Sequence, residues 1–194
     1  MVTTHMNYMT KVFAIDIHGA VSLDEHISSF MSATELHTFK TMAQLGMEVC
    51  FDPSSRYIAI GTSDSHVKVF DTVKGFQTHN FLGHRGVIVK LAFYPKVDSL
   101  KLISSSEDFT VRIWDLVLNT ELHCLRGQEG RVSAFAFSDD LDTLLVATKH
   151  AQVIFYNVRD NFKQIGAIEA KEIKGLEEET GINALIYLEN NDAP

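Results

Sequence analysis

Cysteine is scarce in this 194-residue chain: Cys50 and Cys124 are the only two. Each stands alone among strand-like residues, with neither metal-ligand spacing nor the number a disulfide framework needs, which points to a reducing compartment. Long apolar runs are missing too; none approaches the roughly 20 residues that span a bilayer. Residues 1–10 are polar and lack the charged and apolar blocks of a signal peptide, so a soluble intracellular protein is expected. Basic residues are outnumbered, 17 Lys and Arg against 25 Asp and Glu, giving a net charge of −8. A chain of that sign is repelled by a phosphate backbone, and no basic patch offsets this. Its densest charge run, residues 169–179, holds five Glu and two Lys. Direct nucleic-acid contact is disfavoured, although binding alongside nucleic acid is not.

Familiar reactive patterns are absent as well. Of nine His, no two sit at His-x-x-x-His or similar spacing, so a zinc site is not expected. Gly83-His84-Arg85-Gly86 is too short for a phosphate-binding loop and lacks the Gly-Lys-Ser/Thr ending. No Gly-x-Ser-x-Gly elbow exposes a serine nucleophile. No metal and no cofactor are expected. The acidic Glu177-Glu178-Glu179 run reads as a solvated loop.

What the chain does have is a repeat. Phe70-Asp71, Trp114-Asp115 and Tyr156-Asn157 each close an apolar, β-branched run, and they step by 44 and then 42 residues. Cys50, Ala92 and Ala136, followed by Phe51, Phe93 and Phe137, mark the same periods. Turn acids Asp64 and Asp108 are 44 apart, with His150 in the third slot. Between the landmarks, residues such as Leu102, Ser104, Val111 and Ile113 alternate with the period of a strand, and breakers such as Asp52-Pro53-Ser54-Ser55 and Ser138-Asp139-Asp140 punctuate them. Strands are expected near 46–51, 57–61, 66–70, 76–82, 87–93, 100–105, 110–114, 120–125, 132–137, 143–148, 151–156 and 163–168.

Four short strands in each period of about 40–45 residues is the signature of a WD40 β-propeller blade. The expected fold is all-β, a partial WD40 propeller. The expected divisions are a partial blade over 1–45, whole blades over 46–84, 85–128 and 129–170, and an acidic loop with the first strand of a further blade over 171–194. Lys11 to Ile17 resembles the strand that elsewhere ends in Trp-Asp, and Glu35 to Lys40 the strand after it. Ser22-Leu23-Asp24-Glu25 has a capping-box pattern, with Ile27, Phe30 and Met31 at helical spacing, so a short helix is expected there. Residues 182–188 read as a first strand. Three whole blades are too few for a ring of about seven, so the chain reads as a fragment or as part of a ring closed by something else.

His84, Ser104 and Asp108 are the ingredients of a Ser-His-Asp hydrolase, but the blade alignment assigns them otherwise. WD40 blades place a Gly-His His, a strand Ser, a turn Asp and the Trp of Trp-Asp in one buried network, here His84, Ser104, Asp108 and Trp114. Such a chain satisfies every polar member, where a lone one costs a few kcal/mol. In the other blades Met42, Ile60 and Phe70 replace the His, Ser and Trp around Asp64, while Gln128, Val146, His150 and Tyr156 fill the third set of slots. Propellers bind partners on the rim where the turns before the Asp positions emerge. The candidates there are Ser63, Glu107 and Lys149, with Phe109, Arg85 and Arg131 nearby, Arg and aromatic side chains being frequent interface anchors.

One stretch is more specific than a generic blade. The sequence THNFLGHRGVI, residues 78–88, resembles the transducin-beta-like WD40 proteins associated with U3 small nucleolar RNA, and the resemblance continues through LISSSEDFTVRIWDL and RVSAFAFSDD to EETGINALIYLEN. It implies a non-catalytic, nucleolar subunit of the small-subunit processome. Such a subunit holds neighbouring proteins in place during pre-18S ribosomal RNA processing and 40S biogenesis. Its expected partners are other protein subunits of that assembly, with U3 small nucleolar RNA and pre-rRNA present by association and no membrane involved. The competing readings are a generic WD40 adaptor, such as a ubiquitin-ligase substrate receptor or signalling scaffold, and the hydrolase above.

Overall fold

The structure, a computed structural model, describes residues 2–5, 9–17, 31–40, 46–169, 182, 184 and 185. Among them are fifteen strands and no helix. β1 (Val2–His5), β2 (Met9–Ile17) and β3 (Met31–Lys40) form a three-stranded antiparallel sheet. Three four-stranded sheets follow. The first is β4 (Gly46–Phe51), β5 (Tyr57–Thr62), β6 (Val67–Asp71) and β7 (Gln77–Phe81). The second is β8 (Ile88–Phe93), β9 (Lys101–Ser106), β10 (Val111–Asp115) and β11 (Thr120–Leu125). The third is β12 (Val132–Phe137), β13 (Thr143–Thr148), β14 (Gln152–Asn157) and β15 (Lys163–Glu169). Each runs in sequence order across the sheet, and the first strands β4, β8 and β12 pack side by side. These are propeller blades packed through their inner strands, and among the described residues they do not close a ring.

All twelve strands expected between 46 and 168 are present, each end within one residue. Strand β1 was not anticipated: Val2-Thr3-Thr4-His5 has too little apolar character to stand out, and it exists by pairing with β2. The expected helix over 22–31 falls largely outside the described residues; Met31, its last member, begins β3. The Glu177–Glu179 loop and most of 182–188 also fall outside them.

Period-two alternation explains how the blades stack. In β5, Ile58 and Ile60 face back to Val12 and Phe39 of the three-stranded sheet, while Ala59 faces forward. In β9, Leu102 faces back and Ile103 forward; in β13, Leu144 and Val146 face back and Leu145 and Ala147 forward. The second strand of each four-stranded blade is therefore covered on both faces, which is why it reads as an almost unbroken apolar run. Gly61 is required here: a Cβ on it would lie 2.4 Å from Cγ2 of Ile88 in the next blade.

Irregularities repeat as faithfully as the strands. Each inner strand carries a register shift against the second strand, at Gly46/Glu48, Ile88/Lys90 and Val132/Ala134. Each third strand is shifted against its outer neighbour at Val69/Phe70, Ile113/Trp114 and Phe155/Tyr156, and β2 shows the same shift at Val12/Phe13. Bulges of this kind twist and re-aim a strand, here where the Trp-slot residue turns toward the preceding blade. The hairpin turns use left-handed residues at the same period: Ser65, Phe109 and Ala151 between the second and third strands, and Gly75, Asn119 and Asn161 between the third and fourth.

Candidate functional site

The structure brings His84, Ser104, Asp108 and Trp114 together between the first and second full blades. His84 comes from the loop after β7, Ser104 from β9, Asp108 from the β9–β10 turn and Trp114 from β10. Asp108 accepts from His84 Nδ1–H at 3.2 Å, which leaves Nε2 as a lone-pair acceptor for the Ser104 hydroxyl at 2.7 Å. The Ser104 oxygen in turn accepts the Trp114 indole N–H at 2.8 Å. Ser104 is fully buried and Trp114 nearly so, its ring stacked on Phe81 at a centroid distance of 5.0 Å. The serine proton and an oxygen lone pair are both engaged, and no face of its hydroxyl is open to a substrate.

Thr110 completes the network, a member that sequence reasoning missed. Its hydroxyl donates to Asp108 Oδ1 at 2.7 Å and lies 3.1 Å from His84 Nδ1, and its N–H reaches the same carboxylate oxygen at 3.0 Å. The backbone N–H of Arg85 donates to Asp108 Oδ2 at 2.8 Å. The one available signal was position, a Thr two residues past the turn acid. Burial pushes the Asp108 carboxyl up, but the hydrogen bonds from Arg85 and Thr110 and the nearby imidazole together hold it down at about 2. Burial pulls the His84 imidazole below its ordinary value, against the pull of Asp108, so the ring is neutral at pH 7. Gly86 gives the loop its close approach: a Cβ there would sit 2.9 Å from the Asp108 backbone nitrogen.

The neighbouring blades solve the same packing problem with other residues. In the first full blade Ile60 and Phe70 occupy an apolar site with Phe39, whose ring is 4.7 Å from that of Phe70. Asp64 there accepts from Thr62 within its own turn; Met42 is outside the described residues. In the third blade Gln128 donates directly to the Tyr156 hydroxyl at 3.0 Å, past Val146 in the serine slot. His150 donates from Nδ1 to the Glu129 carbonyl at 3.2 Å, so the turn still holds the preceding loop.

Ser63, Glu107, Phe109 and Lys149 lie on the hairpin turns, and Arg85 and Arg131 on the loops that lead into the next blade. Arg131 and Glu107 pair at 3.3 Å, joining the second and third blades through two half-exposed side chains. Beside them Lys149 donates its backbone N–H to the Arg131 carbonyl at 2.9 Å. Arg131 and Lys149 share a concave site with Val89, Lys90, Val132 and Ser133 at the mouth between β8 and β12. Phe109 is 52% exposed with a left-handed backbone at φ 60°, and Arg85 is exposed beside it in the network's own loop. Ser63 sits half-exposed on the turn of the first full blade. Among the described residues no group of His, Cys, Asp and Glu could hold a metal ion, and no helix is long and apolar enough to cross a membrane.

Blades of this build, with a His-Ser-Asp-Trp network between them, define a WD40-repeat array, a class of generally non-catalytic scaffold. The family model for the WD domain, G-beta repeat, matches residues 36–71 and 75–115, so the chain carries WD40 repeats. Each match runs from the outer strand of one sheet to the third strand of the next, tying neighbouring blades covalently. More particularly, the chain is similar to transducin beta-like protein 3. It is 42% identical to the Bos taurus protein and 40% to the Mus musculus protein, over 60 residues in each case. Against the Homo sapiens protein it is 43% identical over 47 residues. The 60-residue matches cover 31% of this chain and 8% of those relatives' length.

Proposed function

We propose that this chain is a non-catalytic scaffold of the small-subunit processome. In this reading it resides in the nucleolus, contacts other protein subunits of the U3-associated assembly, and acts in pre-18S rRNA processing and 40S biogenesis. The observation that carries the reading is the similarity to transducin beta-like protein 3. A net charge of −8 supports contact through protein, with U3 RNA present by association. The scaffold reading is supported by the tetrad, which spends its serine, histidine and aspartate on holding two blades together. Arg85, Glu107, Phe109, Arg131 and Lys149, with Ser63 on the adjacent turn, are the residues proposed to meet the partner.

The test is recovery of the tagged chain from nuclear extract, with and without RNase, probed for U3 RNA and co-purifying proteins. Processome proteins that persist after RNase are expected. Their absence beside a full-length positive control, or their complete loss with RNase, would sink the protein-held assignment.

A further inference from the structure

The neighbouring inner strands β8 and β12 are bulged at corresponding positions, Ile88/Lys90 and Val132/Ala134. The extra residues are Val89 and Ser133, and both line a hollow of about 330 Å³ between the second and third blades. Its remaining lining residues are Val132, Lys90, Arg131 and Lys149. The Ser133 hydroxyl donates to the Ala147 carbonyl at 3.2 Å, so the three cations are the side-chain donors at the hollow. No acidic side chain among the described residues lines it. In a chain of net charge −8 this is a local reversal of sign.

The ion pairs around the hollow leave that sign in place. Lys90 reaches Glu48, its counterpart in the preceding blade, at 3.0 Å. Its counterpart in the following blade is Ala134, which brings no carboxylate. Arg131 meets Glu107 through one nitrogen at 3.3 Å, and a guanidinium has five N–H donors, so others remain for an incoming oxygen. The loops at this end of the second and third blades, 82–87, 107–110, 126–131 and 149–151, hold four Arg and Lys against three Asp and Glu. The turns at the opposite end, 94–100, 116–119, 138–142 and 158–162, hold two against five. A field of this orientation draws an acidic partner toward the hollow and away from the other end.

We propose that the hollow receives a carboxylate from an acidic segment of the partner protein. A Glu side chain lays its methylenes along the apolar wall, and its carboxylate accepts charge-assisted hydrogen bonds from Lys90, Arg131 and Lys149. This names the chemistry of the partner at the rim and rests on the reading that the rim meets a protein. Size and charge set it apart from a nucleic acid. The hollow admits a side chain, whereas a continuous phosphate backbone would also run past Glu107, Asp108 and Glu129 on the surrounding loops. Spaced carboxylates on a peptide enter where the cations are and pass those acids by.

Fluorescence anisotropy tests this with the purified full chain and a short fluorescein-labelled peptide alternating Glu and Ala, beside the same peptide with Gln for Glu. The Glu peptide is expected to bind about tenfold more tightly than the Gln peptide. Its affinity should fall as salt rises from ~50 mM to ~0.3 M. Arg131→Glu and Lys149→Glu change exposed side chains, and each is expected to weaken the Glu peptide about tenfold with the melting temperature unchanged. Lys96→Glu makes the same charge change on an exposed turn at the other end, and is expected to have no effect. Equal binding of the two peptides overturns the proposal, and so does an equal loss in Lys96→Glu, which would reduce the effect to net charge. A labelled uridine oligonucleotide that binds more tightly than the Glu peptide overturns it in favour of a phosphate backbone. If a charge reversal lowers the melting temperature, Lys149→Gln takes its place, with a weaker loss expected and unchanged affinity overturning the site. Only the isolated chain and a synthetic peptide are used. Failure of the pull-down would therefore leave peptide binding standing, and failure of peptide binding would leave the pull-down standing.

Discussion

Gln128 reaches the hydroxyl of Tyr156 across 3.0 Å, a single hydrogen bond spanning the site where the preceding blade uses His84, Ser104 and Trp114 in series. The tyrosine carries its polar atom further out than an indole does. The glutamine amide can therefore meet it without an intervening hydroxyl, and Val146 fills the serine's place. One pair replaces the whole relay and satisfies the Gln128 amide nitrogen, while its buried Oε1 has no hydrogen-bond partner among the described residues.

This substitution logic predicts strong coupling. Tyr156→Phe leaves the Gln128 amide buried without that partner and should cost about 1–3 kcal/mol. Adding Gln128→Leu should recover part of the loss. A double-mutant cycle by urea unfolding is expected to return a coupling of roughly 0.5–3 kcal/mol; simple additivity would argue against the pairing.

In the second blade, Ser104→Ala should cost about 1–3 kcal/mol, because His84 Nε2 and the Trp114 N–H both lose their partner. Trp114→Ala should cost more, about 3–5 kcal/mol, since it also empties an aromatic site packed on Phe81. Thermal or denaturant unfolding reads both, and equal melting temperatures for wild type and Trp114→Ala would contradict the burial.

Acid should loosen the same interface in two stages. His84 has its folded pKa lowered by burial, so the unfolded chain binds the extra proton first and stability falls as pH drops below the ordinary imidazole range. Asp108, held at about 2 when folded, gives stability that is full above its unfolded value near 4 and is lost as pH falls toward 2. Melting temperature against pH should fall less steeply below pH 6.5 in a His84→Gln variant than in wild type.

Blade stacking should be sensitive at Gly61. Gly61→Ala places a methyl 2.4 Å from Ile88 Cγ2 and should destabilise by about 1–3 kcal/mol through overpacking. Ile88→Ala made in addition should cost less than it does alone, because the new methyl enters the vacated space; denaturant midpoints of the four combinations decide this.

The rim offers a contrasting prediction. Arg131→Glu breaks an exposed pair with Glu107 worth at most about 1 kcal/mol, so the melting temperature should hardly move. Recovery of partner proteins in the pull-down should drop. Unchanged recovery would remove Arg131 from the proposed contact.

Much of the architecture was readable because its signals are local and recur. Phe70, Trp114 and Tyr156 keep their offsets because each ends a third strand, and the runs before them are apolar because both faces of a blade are covered. The tetrad was readable for a related reason: its members sit at fixed places in the repeat. Thr110 was not, since a threonine after a turn has many ordinary uses and only the three-dimensional turn aims its hydroxyl at Asp108. The Gln128–Tyr156 bond was equally hidden, because the sequence shows two substitutions and not whether they touch.

From the order of residues alone follow the all-β class, the three full blades, the strand boundaries and the positions of His84, Ser104, Asp108 and Trp114, for these depend on alternation and period along the chain. Which faces are covered, how Gly61 admits Ile88, and how Arg131 finds Glu107 depend on the neighbouring blade, and only packing resolves them. Contacts near the two ends of the described residues belong to this second group. Val2-Thr3-Thr4-His5 becomes a strand by pairing with β2, and Ile182 and Leu185 pack against the cluster that holds Leu145 and Val153. β1 could not be inferred from local propensity, because it is held by a strand edge that another part of the fold creates.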